Sequence, residues 1–197
     1  MPSDSTQPHV LYVCWGFPPC RGSGVYRGLA TANALAADVP LPAWYWGAPS
    51  GLHCLDTTVA DVLARGYSHH ITRLMVLSNI ATLLGVEPQA LNRWFWEAYV
   101  DAYEWVVTPN VVGMATWADG GIVGSKPYIS SGKYIQRMGP SLCAGCRYDP
   151  GETRGADACP LNHLYWDFLE RHRDRLAKNV RMAVPLAALK KLPPAVM

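Results

Sequence analysis

Residues 143–159 read CAGCRYDPGETRGADAC, with Pro160 directly after, and no other stretch restricts the fold of this chain so tightly. A C-x2-C pair, a turn-rich polar span and a further cysteine describe a loop closed around a metal. The first pair must fold back on itself, and Gly145 between its members relieves the strain of that turn. Pro160 suits a first helical position and the apolar pattern LNHLYWDFL follows, so Cys159 is expected at a helix N-terminus, where a thiolate is favoured. Tetrahedral zinc and iron–sulfur clusters both usually take four ligands, and Cys54, isolated in apolar surroundings, is the best candidate to join Cys143, Cys146 and Cys159. Spacing alone leaves the two kinds of centre open.

With 50% hydrophobic and 16% charged residues in 197, the chain can bury a sizeable core and is not of disordered composition. No apolar run reaches the length of a membrane span, and the opening MPSDSTQPH lacks the basic start of a signal peptide. These readings predict a cytoplasmic protein without a membrane partner, in which cysteines serve as thiols or ligands rather than disulfides. The net charge of +2 hides an asymmetry: residues 126–197 stand at +6 and the remainder at −4. Basic clustering of that kind can serve a polyanion, although a charge-rich helix is also an ordinary solvated face.

Taken in order, HVLYVCW at 9–15, a glycine-rich turn and a small-residue helix from about Val25 to Ala37 form one short βα unit. From Asp56 the pattern turns helical. Apolar residues from Val59 to Met75 recur at three- and four-residue steps, predicting one helix that Gly85 closes. Pro88 begins a second, expected to run through Trp105 and end before Pro109. A short helix near 131–138, the cysteine loop and a helix from 161 to about 178 complete the series. The prediction is a mainly α-helical fold with a short βα unit at its N-terminus.

Two resemblances are carried by particular blocks. The first thirty-odd residues resemble the opening of a nucleotide-sugar glycosyltransferase, a likeness that ends at Asp38-Val39-Pro40 and covers too little to imply transferase activity. From about residue 40 onward, HHITRLM (69–75), VDAYEWVVTPNVVGM (100–114), DGG (119–121), KPYISSGKYI (126–135), CAGCRYD (143–149) and the ACPLNHLYWDF block resemble the C-terminal half of the photolyase and cryptochrome family, in its bacterial iron–sulfur branch. The implied division is 1–39 glycosyltransferase-like and 40–197 a partial FAD-binding helical domain. Members of that branch reverse (6-4) photoproducts in DNA with light, FAD and a 4Fe-4S cluster.

By position, the resemblance implies that Cys54, Cys143, Cys146 and Cys159 ligate the cluster, with zinc the runner-up. It places His70, preceded by His69, opposite the lesion as a reversible proton donor, a task suited to imidazole. It sets Arg73 beside the flavin, paired with Asp101 or Glu104, between which the sequence does not choose. Asn110 matches the amide facing the reactive ring nitrogen, and Gly113 and Met114 the lining of the same pocket. Trp46, Trp94 and Tyr134 match aromatic positions that relay electrons to the flavin, Trp94 also bordering it. Without the resemblance, adjacent histidines read as a packed pair, Asn110 as a turn residue and most tryptophans as core. Lys126, Tyr128, Lys133, Arg137 and Arg181 are implied on the surface that meets damaged DNA, where cations neutralise phosphates without reading sequence. The family's antenna domain and the first half of its helical domain have no counterpart, so the expectation is a fragment or fusion. Repair by this chain alone is then absent or feeble unless a partner chain supplies the missing half. The alternative is an iron–sulfur or zinc module that binds nucleic acid without repair.

Overall fold

A computed structural model describes residues 33–191, and within them the chain is a helical assembly. Among the described residues there is no strand beyond two isolated parallel bridges, Val39 with Val86 and Asp149 with Ala158. The expected mainly helical class is therefore observed. The βα unit lies outside the described residues except for 33–37, which form a turn rather than the end of a helix.

The first long helix, His53–Arg65, begins a turn earlier than the sequence predicts. Asp56 does not cap its own N–H groups. Its carboxylate reaches back to accept from Ser50 N at 2.9 Å, Ser50 Oγ at 2.6 Å and Gly51 N at 3.3 Å, which ties down the incoming loop. Cys54, Leu55, Thr58, Val59 and Val62 form the buried stripe.

The helix expected to continue to Gly85 is broken. Gly66 adopts φ +63° at the end of His53–Arg65, and a Cβ there would stand 2.6 Å from Val100 Cγ1. Helix resumes at His70, whose predecessor His69 caps it by accepting from Ile71 N. The second half runs as a short α-helical turn, His70–Thr72, a π-helix, Arg73–Ser78, and an α-helix, Asn79–Leu84. Gly85, at φ +75°, ends it as predicted.

Pro88 opens the next helix, Pro88–Ala98, with Leu91, Asn92, Trp94 and Phe95 inward. That helix also stops short of expectation, because residues 99–103 leave helical geometry before Glu104–Thr108 resumes it. Pro109 then fails to terminate: the chain passes through it into a second π-helix, Pro109–Ala115. A proline inside an α-helix loses its N–H bond and crowds the carbonyl four residues back, and a wider turn accommodates both.

Gly132–Met138, Pro140–Cys143, Pro160–Arg171, Arg173–Leu176 and Ala183–Leu189 complete the helices, the predicted 161–178 element being interrupted at His172. One core unites Tyr45, Leu55, Leu77, Ile80, Leu83, Leu91, Trp94, Phe168 and Leu169. Arg171 links its two ends, donating from Nη2 to Leu83 O at 2.6 Å while Nε holds Asp167.

Candidate functional site

The two π-helices face one another across an open cleft of about 530 Å3, counting the solvent in its mouth. Leu74, Phe95, Val106, Val111 and Met114 give it apolar walls, and His70, Arg73, Ser78 and Asn110 supply its polar groups. A π-turn carries more residues per turn than an α-helix and shifts side-chain phase, so each wall keeps one face in the core and turns another to the cleft. Apolar periodicity at three and four residues gives no sign of that shift, and the sequence reading accordingly missed Leu74, Ser78, Val106 and Val111 as lining.

Arg73 is held on every side. Nη1 and Nη2 donate to Asp101 Oδ1 and Oδ2 at 3.0 and 2.9 Å, and Nε donates to Ser68 O at 2.9 Å. Its guanidinium lies 4.2 Å from the centre of the Tyr99 ring and 5.0 Å from that of Tyr67. The choice left open by the sequence is thus decided for Asp101, while Glu104 stands exposed in the first turn of Glu104–Thr108. Tyr99 shares a 2.7 Å hydrogen bond with Ser68 Oγ, and burial pushes its hydroxyl up to about 12, so it stays a neutral platform beneath the cation.

The paired histidines separate by task. His69 caps with Nδ1, whereas His70 reaches the cleft. Asn110 donates from Nδ2 to Val106 O at 2.7 Å, which leaves Oδ1 as an acceptor. Met114 lines the cleft, but Gly113 does not: it is buried against the loop at 119–123, where a Cβ would meet Val123 Cβ at 2.7 Å. Trp94 is buried behind the cleft, donating from Nε1 to Tyr45 O at 2.9 Å and meeting Tyr45, Phe95 and Tyr99 edge-on at 5.2, 5.2 and 5.9 Å. Trp46 is exposed, and neither it nor Tyr134 shares a ring contact with Trp94, so the three expected relay positions are not in mutual contact.

Away from the cleft, Cys54, Cys143, Cys146 and Cys159 are all free thiols. The predicted turn is present: Cys146 N donates to Cys143 O at 3.1 Å and Gly145 takes φ +79°. Cys159 precedes Pro160–Arg171 as expected, and the N–H groups of Leu161 and Asn162 favour its thiolate, but burial outweighs them and raises it. Burial pushes Cys54 up to about 12, with further repulsion from Cys159, Cys143 and Cys146. The four sulfurs are therefore electrostatic neighbours, although no three or more His, Cys, Asp or Glu among the described residues are grouped so as to hold a metal ion.

Asn162 organises this region. Its Oδ1 accepts from Gly132 N at 3.1 Å, and its Nδ2 donates to Pro150 O and Glu152 O at 3.0 and 3.1 Å. Gly132 lies so close that a Cβ there would be 2.6 Å from Cys159 Sγ.

Lys133, Arg137 and Arg181 are exposed and Lys126 and Tyr128 partly so. Asn179 Nδ2 donates to Ser125 O at 2.9 Å, bringing Arg181 and Lys126 to neighbouring segments, and Arg137 covers the Tyr134 ring at 4.9 Å. Buried Asn79 pins the same strip by pairing both ends of its amide with Ser130. Among the described residues no helix is long and apolar enough to cross a membrane.

No family model matches the chain. Over 156 residues, 79% of its length, it is 48% identical to a (6-4) photolyase of Agrobacterium fabrum, of which it covers 31%. Over 64 residues, 32% of its length, it is 38% identical to an uncharacterized protein of Acanthamoeba polyphaga mimivirus, of which it covers 52%. The chain thus spans about a third of the first relative and half of the second, and the first likeness supports kinship with the photolyase family.

Proposed function

We propose that this chain is a photolyase-related DNA-repair protein of the (6-4) type, carrying one wall of a flavin site, a 4Fe-4S centre and part of a DNA-binding face. The observation that supports it most is the convergence of His70, Arg73 and Asn110 on a single apolar cleft, with Arg73 locked to Asp101. Apolar walls with a few convergent polar groups suit an aromatic ring system. FAD would supply the light-driven electron, and the residues here would hold and orient its ring.

Asn110 would present Oδ1 as an acceptor to a ring N–H, and the Arg73–Asp101 pair would steady the opposite side. His70, exposed at the mouth, would hold the proton exchanged with a lesion flipped from the duplex. Among the described residues Arg73 is the cleft's one lysine or arginine and it already serves Asp101, so none of them offers a diphosphate a free cation there. The open cleft therefore favours weak flavin binding by the chain alone, and a partner chain would complete the enclosure.

For the second centre, four free thiols, of which Cys54 would feel the charge of each of the other three on ionising, are a donor set that a cationic centre would stabilise in its thiolate form. An all-cysteine donor set of this kind suits an iron–sulfur centre, which the family resemblance favours over zinc. Cys54, Cys143, Cys146 and Cys159 would hold it, with Gly132 leaving the clearance beside Cys159.

The test is anaerobic purification, metal analysis and visible absorption, followed by illumination of an oligonucleotide bearing a (6-4) lesion with reduced FAD, with and without His70→Ala. Iron with saturable FAD binding and weak, His70-dependent repair is expected. Zinc in place of iron overturns the cluster, and iron without flavin binding leaves a nucleic-acid-binding module instead of a repair protein.

A further inference from the structure

We propose that Asp119 is a positioning residue for the cleft, holding the π-helical wall Pro109–Ala115, and with it Asn110 and Met114, through the loop at 117–124. The consequence for flavin rests on the reading above, whereas the clamp itself rests on contacts within the chain. Both carboxylate oxygens are committed inward. Oδ1 accepts from Gly121 N at 2.9 Å and Oδ2 from Val123 N at 2.8 Å.

This closure presses Val123 and the carboxylate onto Gly113, in the middle of the wall. A Cβ at Gly113 would lie 2.7 Å from Val123 Cβ and 3.0 Å from Asp119 Oδ2. Gly124 approaches the next residue, with Met114 Cα 3.3 Å from where its own Cβ would stand. The base of the loop is bonded to the wall as well: Ala118 N donates to Val112 O at 2.9 Å, and Thr116 Oγ1 lies 3.0 Å from both Val111 O and Val112 O. Trp117 is held at φ +52°, uncommon for so bulky a residue, with Nε1 donating to Gly124 O at 2.9 Å. A segment kept in a costly backbone state is one that its surroundings over-determine.

Why the wall needs a clamp follows from its own geometry. A π-turn is a rare arrangement, and Pro109 removes one N–H from the hydrogen bonds that hold this one. Burial also raises the Asp119 carboxyl above its ordinary range in spite of the N–H groups turned toward it. The site thus keeps a carboxylate where solvation opposes it, which a loop serving only as a connection has no reason to do.

The experiment is amide hydrogen exchange on the full chain without flavin, comparing the unmodified protein with Asp119→Ala and Asp119→Asn, with FAD titrated in parallel. In Asp119→Ala, amides at 110–116 are expected to exchange roughly tenfold faster while those of His53–Arg65 keep their protection, with Asp119→Asn intermediate. FAD affinity should fall in the same order, with loss of the resolved absorption structure of a fixed ring. Unchanged protection at 110–116 overturns the clamp. If Asp119→Ala unfolds, Gly113→Ala takes its place: it should loosen the same amides, and Val123→Gly in that background should restore them. Failure of that rescue also overturns the proposal. If the unmodified chain binds no FAD, the flavin reading falls and the exchange pattern still decides the clamp.

Discussion

Replacing Gly132 by alanine tests the cysteine centre at its tightest point. The new Cβ would stand 2.6 Å from Cys159 Sγ, 3.2 Å from Cys159 Cβ and 3.5 Å from Asn162 Oδ1. Ordinary contact between such atoms begins near ~3.5 Å, so the first of these overlaps by about 1 Å. Relief comes in one of two ways. Either Gly132–Met138 withdraws, stretching the bond from Gly132 N to Asn162 Oδ1, or Cys159 turns its sulfur away from the other three. Overpacking of this kind costs about 1–3 kcal/mol, a lost hydrogen bond adds about 1, and the better helix propensity of alanine returns at most about 1. The net loss is about 1–4 kcal/mol, and at roughly 2–4 °C per kcal/mol for a chain of this size the melting temperature of the metal-free protein should drop by about 2–16 °C. Iron bound after anaerobic reconstitution should fall with it. Gly51→Ala is the control, because a Cβ there meets nothing within 4 Å, its φ of +79° carries only backbone strain, and it lies outside the cysteine loop. A Gly132→Ala protein with unchanged melting temperature and full iron content would refute the close approach of this helix to Cys159.

Arg73→Lys keeps the charge but loses the fork to Asp101 and the stacking on Tyr99, and should destabilise by about 1–2 kcal/mol in denaturant titration, more than an exposed ion pair would. Asn79→Ala leaves Ser130 N without its acceptor in the core, a loss of about 1–3 kcal/mol; if the basic strip depends on that anchor, salt-dependent DNA binding should weaken alongside. His172 has its imidazole lowered to about 4, chiefly by burial and then by Arg171 and Arg175. A depressed histidine favours the folded state most at pH above its unfolded value of 6.5, and this contribution should fade as pH drops from there toward 4. His172→Gln should flatten stability over that interval in melts followed from pH 7 to pH 4, and an identical acid slope in both proteins contradicts the burial of this ring.

What could be read from the sequence was local. Gly145, Pro160, Gly85 and Pro88 each act on their own turn, and all four stand where their chemistry placed them. The interruptions at 66–69 and 99–103 were not legible because they depend on each other: Val100 N donates to Gly66 O at 2.9 Å, and Val100 occupies the space that a side chain at 66 would need. Apolar spacing runs on through Tyr67 and Ile71 as if nothing happened. The same tertiary contact fixes how 99–103 turns, and that turn brings Asp101 rather than Glu104 to Arg73. No periodicity argument confined to one segment could have chosen between the two acids.

The two candidate centres are mechanically joined, and helix Pro160–Arg171 is the joint. It starts beside Cys159, binds the cysteine loop and Gly132 through Asn162 one turn later, and ends with Arg171 holding Leu83 O at the close of Asn79–Leu84. That last helix continues directly from the π-helix carrying Arg73 and Leu74 into the cleft. Leu161, Phe168 and Leu169 on the same helix are buried with Leu77, Ile80 and Leu83 in one core, so the ends cannot shift independently at low cost. A centre that settles the cysteine loop therefore steadies the start of Pro160–Arg171, and through it one wall of the cleft. The opposite wall is bonded instead to the loop that Asp119 closes, through Ala118 N to Val112 O. Each wall of the cleft thus has its own brace, and a wide π-turn on either side is tolerable because an outside group fixes it.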